Sequence, residues 1–140
     1  MNFEGDLSLL QRKMAASSAG VQRRQAVMEA LNVRSGQSIL DLGCGGGHLV
    51  EELARAVGQH GKAFGLDPSK TQIQAARERC NRFDQATFFC CMADEIALKA
   101  ASCDAVASIQ TLEYIEDVDA ALSAVIPLLK AQSKFVNISI

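Results

Sequence analysis

The sequence predicts a three-layer α/β domain, a parallel sheet in the order 3-2-1-4-5 with helices on both faces. Two observations carry this. Short apolar runs alternate with longer amphipathic stretches from Val21 to the end of the chain, the pattern of strand–helix–strand units. One joint, Ser38 to Val50, reads as a strand, a turn with four glycines in five residues, and a helix start. Right-handed crossovers then fix the strand order. They place the ligand crevice at the carboxyl ends of the first and fourth strands, where the order reverses.

Taken in order, residues 3–20 carry Leu7, Leu9, Leu10 and Met14, which suit one face of a short helix, before Ser17, Ser18 and Gly20 interrupt it. Val21 to Leu31 reads as a helix with Val21, Ala26, Val27, Ala30 and Leu31 inward. On this reading Arg23 and Arg24 belong to the solvated face. The run Ile39, Leu40, Leu42 suits a strand buried on both sides. Leu49 to Val57 is a helix with Val50, Leu53, Ala54 and Val57 inward, ended by Gly58. Lys62 to Asp67 is the second strand. Pro68 and Ser69 open a helix to about Asn81, where a proline in the first turn costs little. Ala86 to Met92 is the third strand and Asp104 to Ile109 the fourth. Asp117 to Lys130 is a helix that Pro127 should kink. Phe135 to Ile140 is the fifth strand.

Composition bounds the function. The 140 residues are enough for one domain with a real core, so residues 1–140 are taken as a single unit with an N-terminal segment 1–20. Hydrophobic residues are 49% and charged residues 21%, which argues against disorder. A formal net charge of −2 points to neither nucleic acid nor an anionic membrane as main partner. No apolar run is long enough for a membrane span, and Met1 to Asp6 lacks a signal-peptide pattern. Cys44, Cys80, Cys90, Cys91 and Cys103 form no C-x-x-C pair and have two histidines for company. Neither a metal site nor a disulfide framework is expected, and the location expected is cytoplasmic.

The glycine turn narrows the ligand. Its register is Gly43-x-Gly45-x-Gly47, and His48 stands where a dinucleotide turn needs its third glycine. Asp41, two residues before the first glycine, would repel a pyrophosphate and suits a cation. The plain alternative is a tight turn with no ligand. Asp67 ends the second strand beside this turn, where a carboxylate can accept two hydrogen bonds from ribose hydroxyls or can cap the next helix.

The pattern Asp41-x-Gly43-x-Gly45-x-Gly47 resembles the first motif of the class I S-adenosylmethionine (SAM) dependent methyltransferases, and Gly65-Leu66-Asp67-Pro68-Ser69 resembles their G-x-D-x-S segment. Ser108 to Tyr114 resembles the segment after their fourth strand, with Tyr114 in place of a histidine. The resemblance covers roughly residues 20 to 140 and includes Val21-Gln22-Arg23-Arg24 leading into the first strand, as in small-molecule enzymes of the ubiquinone/menaquinone and arsenite type. It implies a Rossmann-like fold and SAM as cofactor. It also implies a cofactor site drawn from Asp41, Gly43, Cys44, Gly45, Gly47, His48, Asp67, Pro68, Ser69, Met92, Ala93 and Gln110. An ungapped count from Asp104 puts Met92 and Ala93 at the family's adenine-contacting pair, and a small gap would bring in Asp94 instead.

Two departures stand out. Ala131-Gln132-Ser133 replaces the family's P-G-G, and the family's sixth and seventh strands have no counterpart here. The chain therefore reads as truncated after its fifth strand, with an edge open to self-association. The leading expectation is methyl transfer to an unidentified small-molecule acceptor. The alternatives are a non-catalytic SAM-binding or interaction protein and, against Asp41 and His48, a nicotinamide dehydrogenase. Tyr114, Glu113 and His48 are candidate bases by position only.

Overall fold

The computed structural model describes residues 9, 10, 13 and 17–139. The strands are β1 (Ser38–Leu42), β2 (Lys62–Leu66), β3 (Ala86–Phe89), β4 (Cys103–Ile109) and β5 (Leu129–Ile138). The helices are α1 (Ser18–Leu31), α2 (His48–Val57), α3 (Lys70–Arg79) and α4 (Val118–Val125). The sheet has the order β3-β2-β1-β4-β5, and its pairings are parallel. The predicted architecture and strand order are the observed ones. Of the short helix expected over residues 3–20, Leu7 and Met14 lie outside the described residues, whereas Leu9, Leu10 and Lys13 are helical and exposed.

Each helix starts on a local device. Ser17 Oγ accepts from Gly20 N at 3.2 Å to open α1, Ser69 Oγ accepts from Gln72 N at 3.2 Å to open α3, and Asp117 Oδ1 accepts from Ala120 N at 3.0 Å to open α4. Helix α2 has no side-chain cap and starts directly from Gly47. The side-chain cap of α3 is Ser69 rather than Asp67.

Two apolar layers sandwich the sheet. Val27 and Leu31 of α1, Leu49, Val50, Leu53, Ala54 and Val57 of α2, and Ile73 of α3 pack on one face with Ile39, Ala63, Ala105 and Ala107. The other face buries Leu40, Leu42, Phe64, Leu66 and Val106 under Ala121 and Val125 of α4 and under Ala93 and Leu128. Strand β1 is buried on both sides, as its apolar run predicts.

Four expectations need correction. In α1 the buried residues are Gly20, Val27 and Leu31, while Val21, Ala26 and Ala30 are exposed. The inward stripe runs through Gly20, Arg24, Val27 and Leu31, so a polar residue sits where a purely apolar stripe was sought. The third strand stops at Phe89 rather than Met92, because Ala93–Glu95 forms a 3-10 turn. Pro127 does not kink a long helix. Helix α4 ends at Val125 and Pro127 sits inside a 3-10 turn, Ile126–Leu128, where its missing N–H is not needed. The fifth strand begins at Leu129, six residues earlier than expected, because a bulge lets both Leu129 and Lys134 pair with the start of β4.

Candidate functional site

The turn after β1 bends through Gly43, Gly45 and Gly47, with φ of 75°, 53° and 85°. A Cβ on Gly43 would lie 2.3 Å from Thr111 Oγ1, and one on Gly47 would lie 2.9 Å from the Cα of Ala76. These two glycines let the turn press against the segment after β4 and against α3. At Gly45 the nearest atom would be Gln72 Nε2, at 3.9 Å. That side of the backbone faces open space.

The open space is a cavity of about 750 Å³ at the carboxyl ends of β1, β2 and β4, within the range of small-molecule sites. Of the residues singled out from the sequence, Asp41, Gly43, Cys44, Gly45, His48, Asp67, Pro68, Ser69, Met92, Ala93 and Gln110 line it. Gly47 is not on its wall, since Gly47 serves the packing of α3. Nor is Asp94, which is exposed, whereas Met92 and Ala93 are both on the wall.

Asp67 is held in place by backbone. Its Oδ2 accepts from Gly45 N at 3.0 Å and its Oδ1 from Ser69 N at 2.9 Å. Burial raises its carboxyl above the usual range, against the pull of these two amide bonds. Asp41 is 3% exposed, and its carboxyl makes no hydrogen bond or ion pair among the described residues. Burial pushes its carboxyl well above the ordinary carboxylate range, and the Asp67 charge pushes it further. Burial and then the charges of Asp41 and Asp67 push the Cys44 thiol up, so Cys44 stands there as an apolar wall residue.

His48 begins α2. Burial, then the nearby Arg79 and Arg24 guanidiniums, lower its pKa to about 4. Its Nε2 is enclosed and has no hydrogen-bond partner among the described residues. A neutral, weakly basic imidazole is a poor general base at neutral pH. Glu113 is exposed and off the wall, whereas Tyr114 is on it.

Sequence reasoning missed the part played by α1. Arg23 and Arg24 are half-buried cavity residues and not a solvated face. Arg23 Nη1 donates to Gln110 Oε1 at 3.1 Å, and Arg24 pairs with Glu52 at 3.2 Å. The available signal was the spacing of Gly20, Arg24, Val27 and Leu31, which puts Arg24 on the buried stripe. Gln110 holds φ at 52° while its N–H donates to Ile138 O at 2.6 Å. It is a strained residue over-determined by its neighbours, as functional turns often are.

A glycine turn under a cavity, one buried and one half-buried carboxylate and a helix start at a topological switch point define a domain of the Rossmann-like class. The sequence carries the identification further. Residues 33–140 match the family model described as a methyltransferase domain, and the chain belongs to that family. It is 32% identical over 102 residues to a ubiquinone biosynthesis O-methyltransferase of Rhodopseudomonas palustris, a match covering 73% of this chain and 39% of the relative. A SAM-dependent methyltransferase of Aquifex aeolicus superposes with a TM-score of 0.70 at 20% identity, over 76% of this chain and 58% of that one. Phosphoethanolamine N-methyltransferase 2 of Haemonchus contortus, solved in complex with SAM, has a TM-score of 0.73 at 25% identity, over 82% of this chain and 27% of that one. The chain thus spans less than two thirds of the length of each of these proteins. Among the described residues, no helix is long and apolar enough to cross a membrane, and no cluster of metal-ligating side chains occurs.

Proposed function

We propose that residues 1–140 form the SAM-binding unit of a methyltransferase that acts on a small-molecule acceptor. The observation that carries this is Asp41. It is a buried carboxylate without a cationic partner among the described residues, at the head of a glycine turn and on a cavity wall. A buried charge needs a counter-charge, and SAM brings a sulfonium and an ammonium. The wall also holds Arg23 and Arg24 on the α1 side, so its two signs suit a zwitterionic ligand. A pyrophosphate would sit against both aspartates, which disfavours a nicotinamide cofactor.

In this reading Asp67 faces the ribose hydroxyls, already aimed by its bonds to the amides of Gly45 and Ser69. Gly43, Cys44 and Gly45 bring bare backbone to the ligand, and Gly47 allows α3 to close behind them. Pro68, Ser69, Met92 and Ala93 flank the adenine, and His48 and Gln110 the amino-acid end. Bound SAM supplies a methyl group already activated by the sulfonium. The chain's own contribution is alignment and exclusion of water. A cytosolic location and pairing of a second copy along the outer edge of β5 belong to the same reading, the latter supported by an edge strand with few charges.

Thermal unfolding tests the ligand. SAM and S-adenosylhomocysteine at a hundred times their Kd should each stabilise the fold by about 2.7 kcal/mol, and NAD at the same concentration should not. Stabilisation by NAD alone would reverse the assignment.

A further inference from the structure

A turn built of glycine has few side chains to hold it, and its backbone is freer than any other. Its anchors must come from elsewhere in the chain. The first half is held by β2 and the residue after it. Gly43 N and Cys44 N both donate to Leu66 O at 2.8 Å, and Gly45 N donates to Asp67 Oδ2 at 3.0 Å. The second half is held by the end of α3. Arg79 Nε donates to Gly46 O at 3.1 Å, and Cys80 Sγ, a weak donor, lies 3.7 Å from Gly47 O. Gly47 N donates in turn to Cys44 O at 3.1 Å. Both polar groups of the Gly46–Gly47 peptide are thus engaged, one of them by a side chain 33 residues away.

Arg79 is half-buried and forms no ion pair among the described residues. It is not on the cavity wall, whereas Gly46 is. A place in the last turn of α3 suits a cation, but Arg77 shares that place and is exposed, without a bond to the turn. The Arg79 guanidinium also stands close enough to His48 to lower its pKa.

We propose that Arg79 is a positioning residue for cofactor binding, which fixes the Gly46–Gly47 peptide from outside the cavity and so holds the glycine turn in the shape that receives SAM. This deepens the SAM reading above and rests on it. The bond is charge-assisted, and the planar guanidinium aims its Nε–H at a single carbonyl. The peptide cannot turn over without losing Arg79 and Cys44 O together. A turn free to do so would populate forms that do not fit the ligand, and affinity would fall by the fraction lost.

The test uses the whole chain carrying Arg79→Gln, Arg79→Met or Arg77→Met. Glutamine puts its Nε2 donor where the arginine Nε stands and drops the charge, whereas methionine keeps the stem and has no N–H. In ligand-free chain, the Gly47 amide of Arg79→Met should exchange its hydrogen about fivefold faster, the loss of one ordinary hydrogen bond. The core amide of Ala63 is the reference for a folded chain, and Arg77→Met should change neither. In calorimetry, S-adenosylhomocysteine should bind about fivefold more weakly to Arg79→Met, with most of that loss recovered in Arg79→Gln and no loss in Arg77→Met. Titration of His48 by NMR should move up from about 4 in both Arg79 variants, so that their difference in affinity reads the donor and not the charge. Equal affinities in Arg79→Gln and Arg79→Met, unchanged Gly47 exchange in Arg79→Met, or the same loss in Arg77→Met would each overturn the proposal. Failure of S-adenosylhomocysteine to bind the wild-type chain would instead refute the SAM reading, and the exchange of Gly47 would then decide the role of Arg79 in the turn by itself.

Discussion

The turn after β1 and the turn after β4 face one cavity and bend the backbone by opposite means. The first puts glycines at its left-handed positions, Gly43, Gly45 and Gly47. The second puts Gln110 there, at φ 52°, and the bulge in β5 does the same with Gln132, at φ 62°. A side chain in that region costs about 1–2 kcal/mol. At Gln110 the cost is offset by bonds to Ile138 O and from Arg23, and by a place on the cavity wall. Gln132 is exposed and no side-chain hydrogen bond holds it among the described residues. Strain is thus tied to the site in one case and is merely carried in the other.

The largest expected effect breaks the glycine side of this comparison. Gly47→Ala adds a methyl 2.8 Å from Ala76 Cβ at a positive φ. Backbone strain and overpacking together should lower unfolding free energy by about 3 kcal/mol in urea titrations. Gly36→Ala, at φ +87° with nothing within 4 Å, should lose only the backbone share, about 1 kcal/mol. Equal losses would mean that the approach of α3 to the turn carries no energy.

The two carboxylates should separate by chemistry. Asp67→Ala should weaken SAM binding by about 1.5–3 kcal/mol, the usual loss for a hydrogen bond to a charged group, and should destabilise the free chain by leaving Gly45 N and Ser69 N unpaired. Asp41→Asn should also weaken SAM binding and yet stabilise the free chain at neutral pH. The Asp41 carboxyl titrates higher in the folded state than in the unfolded one, so the native state holds an extra proton between the two values. Wild-type stability therefore falls as pH rises through that window, from about pH 4 upward. The advantage of Asp41→Asn should be present above the window and vanish near pH 3. Chemical denaturation across pH reads this directly, and an advantage that grows toward acid would contradict the burial account.

The smallest effect sharpens the other side. Gln132→Gly should stabilise by about 1 kcal/mol by relieving the left-handed strain. Gln110→Gly should gain less, because it also loses the bond from Arg23. A larger gain at Gln110 would mean that its partners do not hold it.

The same contrast explains what could be read from the residues. Around β1 and β2, local signals agree. The apolar run of Ile39, Leu40 and Leu42, the glycines and Asp67 all agree locally, and of the eleven cavity residues foreseen all but Gln110 follow β1, β2 or β3 in sequence or lie at the end of β1. Around β5 they conflict. Helical periodicity runs on past Val125 and makes Pro127 read as a kink, whereas the helix ends at Val125 and the strand starts at Leu129. The bulge has no glycine to announce it. In α1, charge alone marks Arg23 and Arg24 as solvated, although a cavity wall accommodates half-buried charge when partners such as Glu52 and Gln110 are at hand.

The central claim is that Asp41, buried at the head of the glycine turn and without a cationic partner among the described residues, recognises a cationic ligand. Calorimetric titration of the wild-type chain and of Asp41→Asn with SAM and with NAD tests it most directly. The account predicts saturable one-to-one binding of SAM to the wild type, at least tenfold weaker binding to Asp41→Asn, and no binding of NAD to either. Equal SAM affinity in the two chains, or NAD binding that improves in Asp41→Asn while SAM gives no heat, would contradict it.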